Sequence, residues 1–205
     1  MDKVLDLEII AKENKKYLDE AKLYTQYKIK YIKDYVRRWL NVAVNYRQRN
    51  IVFIDSMCNA GIYKNGIKGT CIEVIELFIE HAKENEAKQF YVFLNDYDKD
   101  KINVLKDLIS NYNIPNNLRI NITDKDVVEY LSLLIEKIHL VVRASHCYTL
   151  IHIILEYQIY WRLLKDLLTS FIVNCYLIIL VVMLQEIKKI HLQKTKCLKS
   201  KYCFN

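Results

Sequence analysis

An α/β fold built on a parallel sheet is what the sequence predicts, and three observations predict it. Short apolar runs recur along the first two thirds of the chain and end in acid: Ile51–Asp55, Gln89–Asp96, and Leu118–Ile122 followed by Thr123 and Asp124. Between them lie stretches whose apolar residues return every three or four positions, the period of helices laid on a sheet. All three glycines, Gly61, Gly66 and Gly69, fall within nine residues just after the first run and mark one specialised loop. Strand, loop and helix repeated in series point to a doubly wound sheet, with ligands outside the carboxyl ends of its strands.

Each element has its own signal. From Leu5 to about Arg49 there is neither glycine nor proline, and Tyr24, Tyr27, Tyr31, Tyr35 and Trp39 recur at helical spacing. They read as a core-facing aromatic stripe in preference to a nucleic-acid stacking platform, with Lys28, Lys30, Lys33, Arg37 and Arg38 on the solvated side. Ile51-Val-Phe-Ile-Asp55 is continuously apolar, as a strand covered on both faces must be. After Gly69, a helix turns Ile72, Val74, Ile75, Phe78, Ile79 and Ala82 inward and Glu73, Glu76, Glu80 and Glu84 outward. The strand through Asp96 leads to a helix over Lys99–Tyr112, and Asn113-Ile-Pro-Asn-Asn turns the chain into the third strand. A further helix is predicted from near Asp126. The expected organisation is an N-terminal helical segment over 1–49, the sheet domain over 50–138, and an apolar, basic segment over 139–205.

A chain of 205 residues suffices for one such domain. The net charge of +7 would permit contact with nucleic acid, but from Glu136 onward Lys and Arg outnumber Asp and Glu by 10 to 4, leaving the first 135 residues nearly neutral. Nucleic acid is therefore not established as a partner. The six cysteines form no CxxC pair, so neither a zinc site nor a disulfide framework is signalled, and a reducing, cytoplasmic setting is expected. The acidic residues among Met1-Asp-Lys-Val-Leu-Asp speak against a secretory signal. The five histidines lack metal-ligand spacing; His81 falls on a surface-helix pattern, and Cys58 reads as a small packed residue.

The loop carries a resemblance. Asp55-Ser-Met-Cys-Asn-Ala-Gly61-Ile-Tyr63, followed by Gly66 and Gly69-Thr70, resembles the signature of the three-Cys-motif partner (TcmP) proteins. There, a strand ending in Asp leads into Gly-Phe-Ala-Gly-Pro-Gly-x-Tyr and then a Gly-Ser/Thr-Pro element. Thr25-Gln-Tyr-Lys28 and the helix through Tyr35 and Trp39 are similar to the family's opening, and the likeness runs from about Tyr24 to Tyr130. Ser56, Met57, Cys58, Asn59, Ala60 and Cys71 depart from the pattern. The resemblance implies a Rossmann-like, class I methyltransferase-like parallel sheet in a bacterial protein that binds S-adenosylmethionine, with a small three-cysteine protein as partner. It implies a cofactor site of Asp55, Gly61, Tyr63, Gly69, Thr70, Asp96 and Asp124. Asp55 would meet the methionyl amino group, Asp96 the ribose hydroxyls with Asp98 as second candidate, and Asp124 the adenine amine. A glycine such as Gly61 in this loop would let the backbone approach the ligand.

The last third breaks the pattern. Family members continue with a strand ending in Asp-Pro-Phe/Tyr and a nearby glycine, whereas Thr149-Leu-Ile-His-Ile-Ile-Leu-Glu156 stands in that place and no glycine or proline follows Pro115. Leu150–Glu156 admits a coding sequence whose third-base frame reads Asp-Pro-Tyr-Asn-Thr-Gly, so a shift of reading frame is expected between about Asp126 and Thr149. The sheet would then be incomplete, the C-terminal segment an atypical helical apolar tract, and catalysis absent from this chain, with no catalytic residue assigned. Two other readings remain open: a non-catalytic nucleotide-binding or scaffold protein, and a membrane-tethered one using Leu167–Leu184, which holds no charge over 18 positions.

Overall fold

The computed structural model describes residues 7–46, 49–133, 147–153 and 177–181. Its strands are Asn50–Asp55 (β1), Gln89–Asn95 (β2), Leu118–Thr123 (β3), Cys147–Ile153 (β4) and Leu177–Val181 (β5), all parallel in the order β3-β2-β1-β4-β5. β1 lies at the centre with a strand on either side, which is why every residue after Asn50 in it is buried. β2 alternates: Phe90, Val92 and Leu94 are fully buried, while Tyr91 and Phe93 stack on each other, half-buried, on the opposite face. β3 keeps Leu118 inside and leaves Arg119 and Asn121 exposed.

Register fixes which side chains share a face. Ile51 pairs with Phe90 and Phe53 with Val92, so these four point the same way, towards Thr70–Glu84 (α3). Phe78 of that helix sits 6.1 Å from Phe53 and 5.9 Å from Phe90, ring centre to ring centre, and 6.4 Å from Trp39. Trp39 belongs to Leu23–Ala43 (α2), which packs against α3. Lys99–Ser110 (α4) adds Ile102, Leu105 and Leu108 to the same core, and Leu7–Glu13 (α1) adds Ala11. Truncating a buried ring such as Phe78 to Ala costs about 3–5 kcal/mol in comparable cores. The chain steps from β1 to β2 to β3, then returns to the far side of β1 with β4. That reversal makes the crevice between β1 and β4 the switch point of the sheet.

The helix after β3 spans 127–133 and opens where expected, with Asp126 Oδ1 accepting from the N–H groups of Val128 and Glu129 at 2.8 and 3.4 Å. Its Tyr130 and Leu131 are buried, apart from the core shared by α2, α3 and α4.

Three expectations need correction. The aromatic stripe of α2 does not face the core as a whole: Ile29, Ile32, Val36, Trp39, Leu40 and Ala43 are buried, but Tyr24, Tyr27 and Tyr31 are 41, 65 and 64% exposed. Steps of four residues advance about 40° beyond a full turn, so a series spaced by four drifts from one face to another. His81 is not on the surface; it is buried, with Nδ1 2.8 Å from the Leu77 carbonyl and Nε2 3.0 Å from Asn41 Oδ1. The C-terminal tract is not helical over Cys147–Ile153 or Leu177–Val181, which are strands of the sheet. Short apolar runs cannot be told apart by period alone, and the β-branched residues of Leu177-Ile-Ile-Leu-Val181 favour a strand.

Most of the expected frame change between 126 and 149, and most of Leu167–Leu184, lies outside the described residues; the part of the latter that is described is β5. Among the described residues no helix is long and apolar enough to cross a membrane.

Candidate functional site

The loop after β1 is held by short local bonds. Asp55, the last residue of the strand, is buried, and its Oδ1 accepts from the Met57 N–H at 3.1 Å, turning the chain sharply. The Cys58 N–H then donates to the Asn95 carbonyl at 2.9 Å, and the Asn59 N–H donates to Asp96 Oδ2 at 2.9 Å. Asn59 adopts φ +60°, a left-handed conformation that asparagine tolerates better than most residues. Its side-chain Nδ2 donates to Asp19 Oδ2 at 3.0 Å. Lys101 Nζ donates to the same oxygen at 2.7 Å, and the two donors, Lys101 first, hold the Asp19 carboxyl below its ordinary value. The segment between α1 and α2 is thereby tied both to the loop and to α4.

Beyond Asn59 the loop doubles back as a small hairpin. Ile62 bridges Lys68, the Tyr63 N–H donates to the Ile67 carbonyl at 2.9 Å, and the Gly69 N–H donates to the Gly61 carbonyl at 2.7 Å. Both outer glycines answer to packing. A Cβ on Gly61, which has φ +77°, would lie 2.7 Å from Leu105 Cδ1 and 2.8 Å from Ile72 Cγ1; a Cβ on Gly69 would lie 3.1 Å from the Gly61 carbonyl carbon. What the bare Gly61 backbone admits is the protein's own core, between α3 and α4. Tyr63 is half-buried, and burial pushes its phenol up to about 12. Thr70, also buried, opens α3 after Gly69.

The end of β2 is spent on the protein itself. Asn95 is fully buried; its Nδ2 donates to the carbonyls of Lys125 and Ser56 at 2.9 and 3.3 Å. Its Oδ1 accepts from Thr123 Oγ1 at 2.7 Å and from the Lys125 N–H at 3.0 Å. This one amide therefore fastens the carboxyl ends of β1, β2 and β3 together. Asp96 accepts from the N–H groups of Asn59 and Asp98, through one oxygen each. Asp98 caps α4, accepting from the N–H groups of Asp100 and Lys101 at 3.0 and 3.2 Å. Asp124 stands beyond β3, exposed, with no hydrogen-bond partner among the described residues.

Two buried groups near Asp55 are left over. Ser56 Oγ and the Tyr130 hydroxyl are both inaccessible, and among the described residues neither has a hydrogen-bond partner. Burial, then the charges of Cys58 and Asp55, push the Tyr130 phenol far above its ordinary value, so it stays a neutral donor. The Cys58 thiol is also raised, by burial first and then by Cys71, which makes it a poor nucleophile; Cys71, also buried, donates from Sγ to the Cys58 carbonyl at 3.3 Å.

Of the residues expected at a site, Asp55, Asp96 and Asp124 lie at one edge of the sheet, the end to which Asp55↔Leu94 and Asn95↔Thr123 register the strands. Gly61, Tyr63, Gly69 and Thr70 build the loop beside it, and Asp98 serves as a helix cap. Ser56, Asn95 and Tyr130 were missed. Ser56 adjoins the strand-ending Asp55 and Asn95 adjoins Asp96, so both positions were legible; Tyr130 comes from another element, and no local pattern would have found it. No group of three or more potential metal ligands occurs among the described residues. These features define an α/β protein with polar groups gathered at the carboxyl edge of a parallel sheet. The chain matches no model of a known protein family and no curated protein.

Proposed function

We propose that the chain binds S-adenosylmethionine at this edge, as a Rossmann-like, class I methyltransferase-like protein of the three-Cys-motif partner type. The observation that carries the reading is the pair of unpaired buried hydroxyls, Ser56 and Tyr130, beside Asp55 at the switch point of the sheet. An unsatisfied buried polar group costs about 1–3 kcal/mol. Such groups call for an explanation, and a polar ligand that supplies their partners is one.

In this reading Asp55 receives the methionyl ammonium group. Asp96 keeps lone pairs beyond its two bonds to backbone N–H groups, enough to accept from a ribose hydroxyl. Asp98 is committed to its cap, which leaves the ribose to Asp96. The exposed Asp124 accepts from the adenine amine. When bound, the cofactor would supply an electrophilic methyl group, and no described residue is assigned to activating an acceptor for it. The missing Asp-Pro-Tyr element accounts for that on the frame-shift reading, which the coding DNA tests: one alternative frame across Leu150–Glu156 should read Asp-Pro-Tyr. The same resemblance extends the proposal to a small three-cysteine partner and a cytoplasmic setting, which the two free thiols Cys58 and Cys71 suit.

Calorimetric titration with S-adenosylmethionine tests the binding. One saturable site is expected, weakened roughly tenfold by Asp124→Ala and hardly altered by Asp98→Ala. Absence of heat from the folded chain, together with no change in its melting temperature, would count against the reading.

A further inference from the structure

The outward face of α2 is aromatic and cationic at once. Tyr24, Tyr27 and Tyr31 are 41, 65 and 64% exposed, at spacings of three and four residues that keep them on one side of the helix. Lys30, Arg37 and Arg38 share that exposure. Between Lys22 and Arg38 there are six cationic side chains and one acidic, Asp34, which lies 4.0 Å from Arg37. One of the six, Lys33, is turned towards α3, where it pairs with Glu73.

Phenol rings of this kind cost free energy in water unless something covers them, and three in a row on one helix is a patch, not scatter. We propose that this face is a docking surface for single-stranded nucleic acid. Tyrosine rings offer flat faces to unpaired bases, and the interleaved Lys and Arg offer charge to the phosphates. Along the axis the rings are about 4.5 and 6 Å apart, so each can take its own base. An anionic membrane surface would meet the same charge, but a membrane-lying helix presents an aliphatic or tryptophan face, and here the exposed aliphatic side chains of the helix are Leu23 and Val42, at its two ends.

The surface is continuous with the candidate site. Asn65 Nδ2 and Gln26 Nε2 both donate to the Ala21 carbonyl, and the Lys64 N–H donates to that of Asp19, so the glycine hairpin abuts the start of α2. A strand lying along α2 leads towards the edge that holds Asp55 and Asp96.

The test is fluorescence anisotropy with a labelled single-stranded oligothymidylate and the full chain, with no cofactor added, so that its result is separate from the calorimetric one. Saturable binding is expected to weaken tenfold or more in Tyr27→Ala with Tyr31→Ala, and to persist in the matching Phe variants, which keep the ring. Lys30→Gln and Arg38→Gln should each flatten the dependence of log affinity on log salt by about 0.7. All these side chains are exposed, so each variant is expected to fold, which circular dichroism checks. Binding that the double alanine variant leaves unchanged would overturn the proposal, as would equal affinity for duplex of the same length, or no binding at all. A change in oligomeric state of the alanine variants without oligonucleotide binding would reassign the face to a protein partner.

Discussion

The ends of β1 and β2 lie side by side, one finishing in Asp55 and the other leading into Asp96, yet they are built differently. After β2, the described side chains at the strand end satisfy one another and the backbone: Asn95 makes four bonds, Asp96 two, and Asp98 caps a helix. After β1, two buried hydroxyls, Ser56 Oγ and that of Tyr130, go without partners among the described residues. One strand end is a clamp: the Asn95 amide is consumed in holding the sheet together, and only the Asp96 carboxylate keeps lone pairs to spare. The other is a cradle in which the backbone and the Asp55 carboxylate are engaged while two buried hydroxyls beside them are not. Carboxylates at strand ends do not by themselves mark ligand contacts; what separates the two is whether the remaining polar atoms are already satisfied.

The comparison can be broken at the clamp first. Asn95→Ala strands the Lys125 N–H and two carbonyls at once, leaves the Thr123 hydroxyl only the Leu94 carbonyl at 3.4 Å, and should destabilise the fold by about 3–4 kcal/mol in denaturant unfolding. A loss below 1 kcal/mol would deny the clamp. Gly61→Ala comes next, at about 2–3 kcal/mol, because its methyl group would meet Leu105 and Ile72 inside ordinary contact distance, at a positive φ. Asp98→Ala should cost about 1 kcal/mol, the worth of a helix cap, without touching ligand affinity; an affinity loss would return Asp98 to the site.

The smallest effect is one of pH. Tyr63 is raised by burial from 10.0 to about 12, so its neutral form is favoured in the folded chain. The corresponding stability is fully present below pH 10 and is lost as pH rises through about 12. The free energy of unfolding followed across that window should fall less steeply in Tyr63→Phe than in the parent, and phenolate absorbance reports the titration directly.

Much of this was legible in the residues. Ile51–Asp55 and Gln89–Asn95 announce themselves because a strand at or near the middle of a sheet must be apolar through most of its length, and the helices between them carry a clean inward face. The glycine cluster marked the loop correctly, but the residue type could not say what approaches it, and at Gly61 the neighbour is the core. The tyrosines of α2 misled because spacing by three and four fits a buried stripe and an exposed one equally; Ile29, Ile32 and Val36 had a stronger claim to the core side. β5 escaped because Leu177–Val181 sits inside a longer apolar run with no turn residue to bound it. Tyr130 meets the loop only through tertiary structure.

The central claim is that the Ser56 and Tyr130 hydroxyls are left unpaired for a ligand. Thermal unfolding of Tyr130→Phe, with and without S-adenosylmethionine, tests it most directly. Removing an unpaired buried hydroxyl should leave the melting temperature of the free protein unchanged or higher, while the upward shift that S-adenosylmethionine gives the parent is reduced. A variant that melts lower on its own, yet gains as much from S-adenosylmethionine as the parent does, would contradict the account.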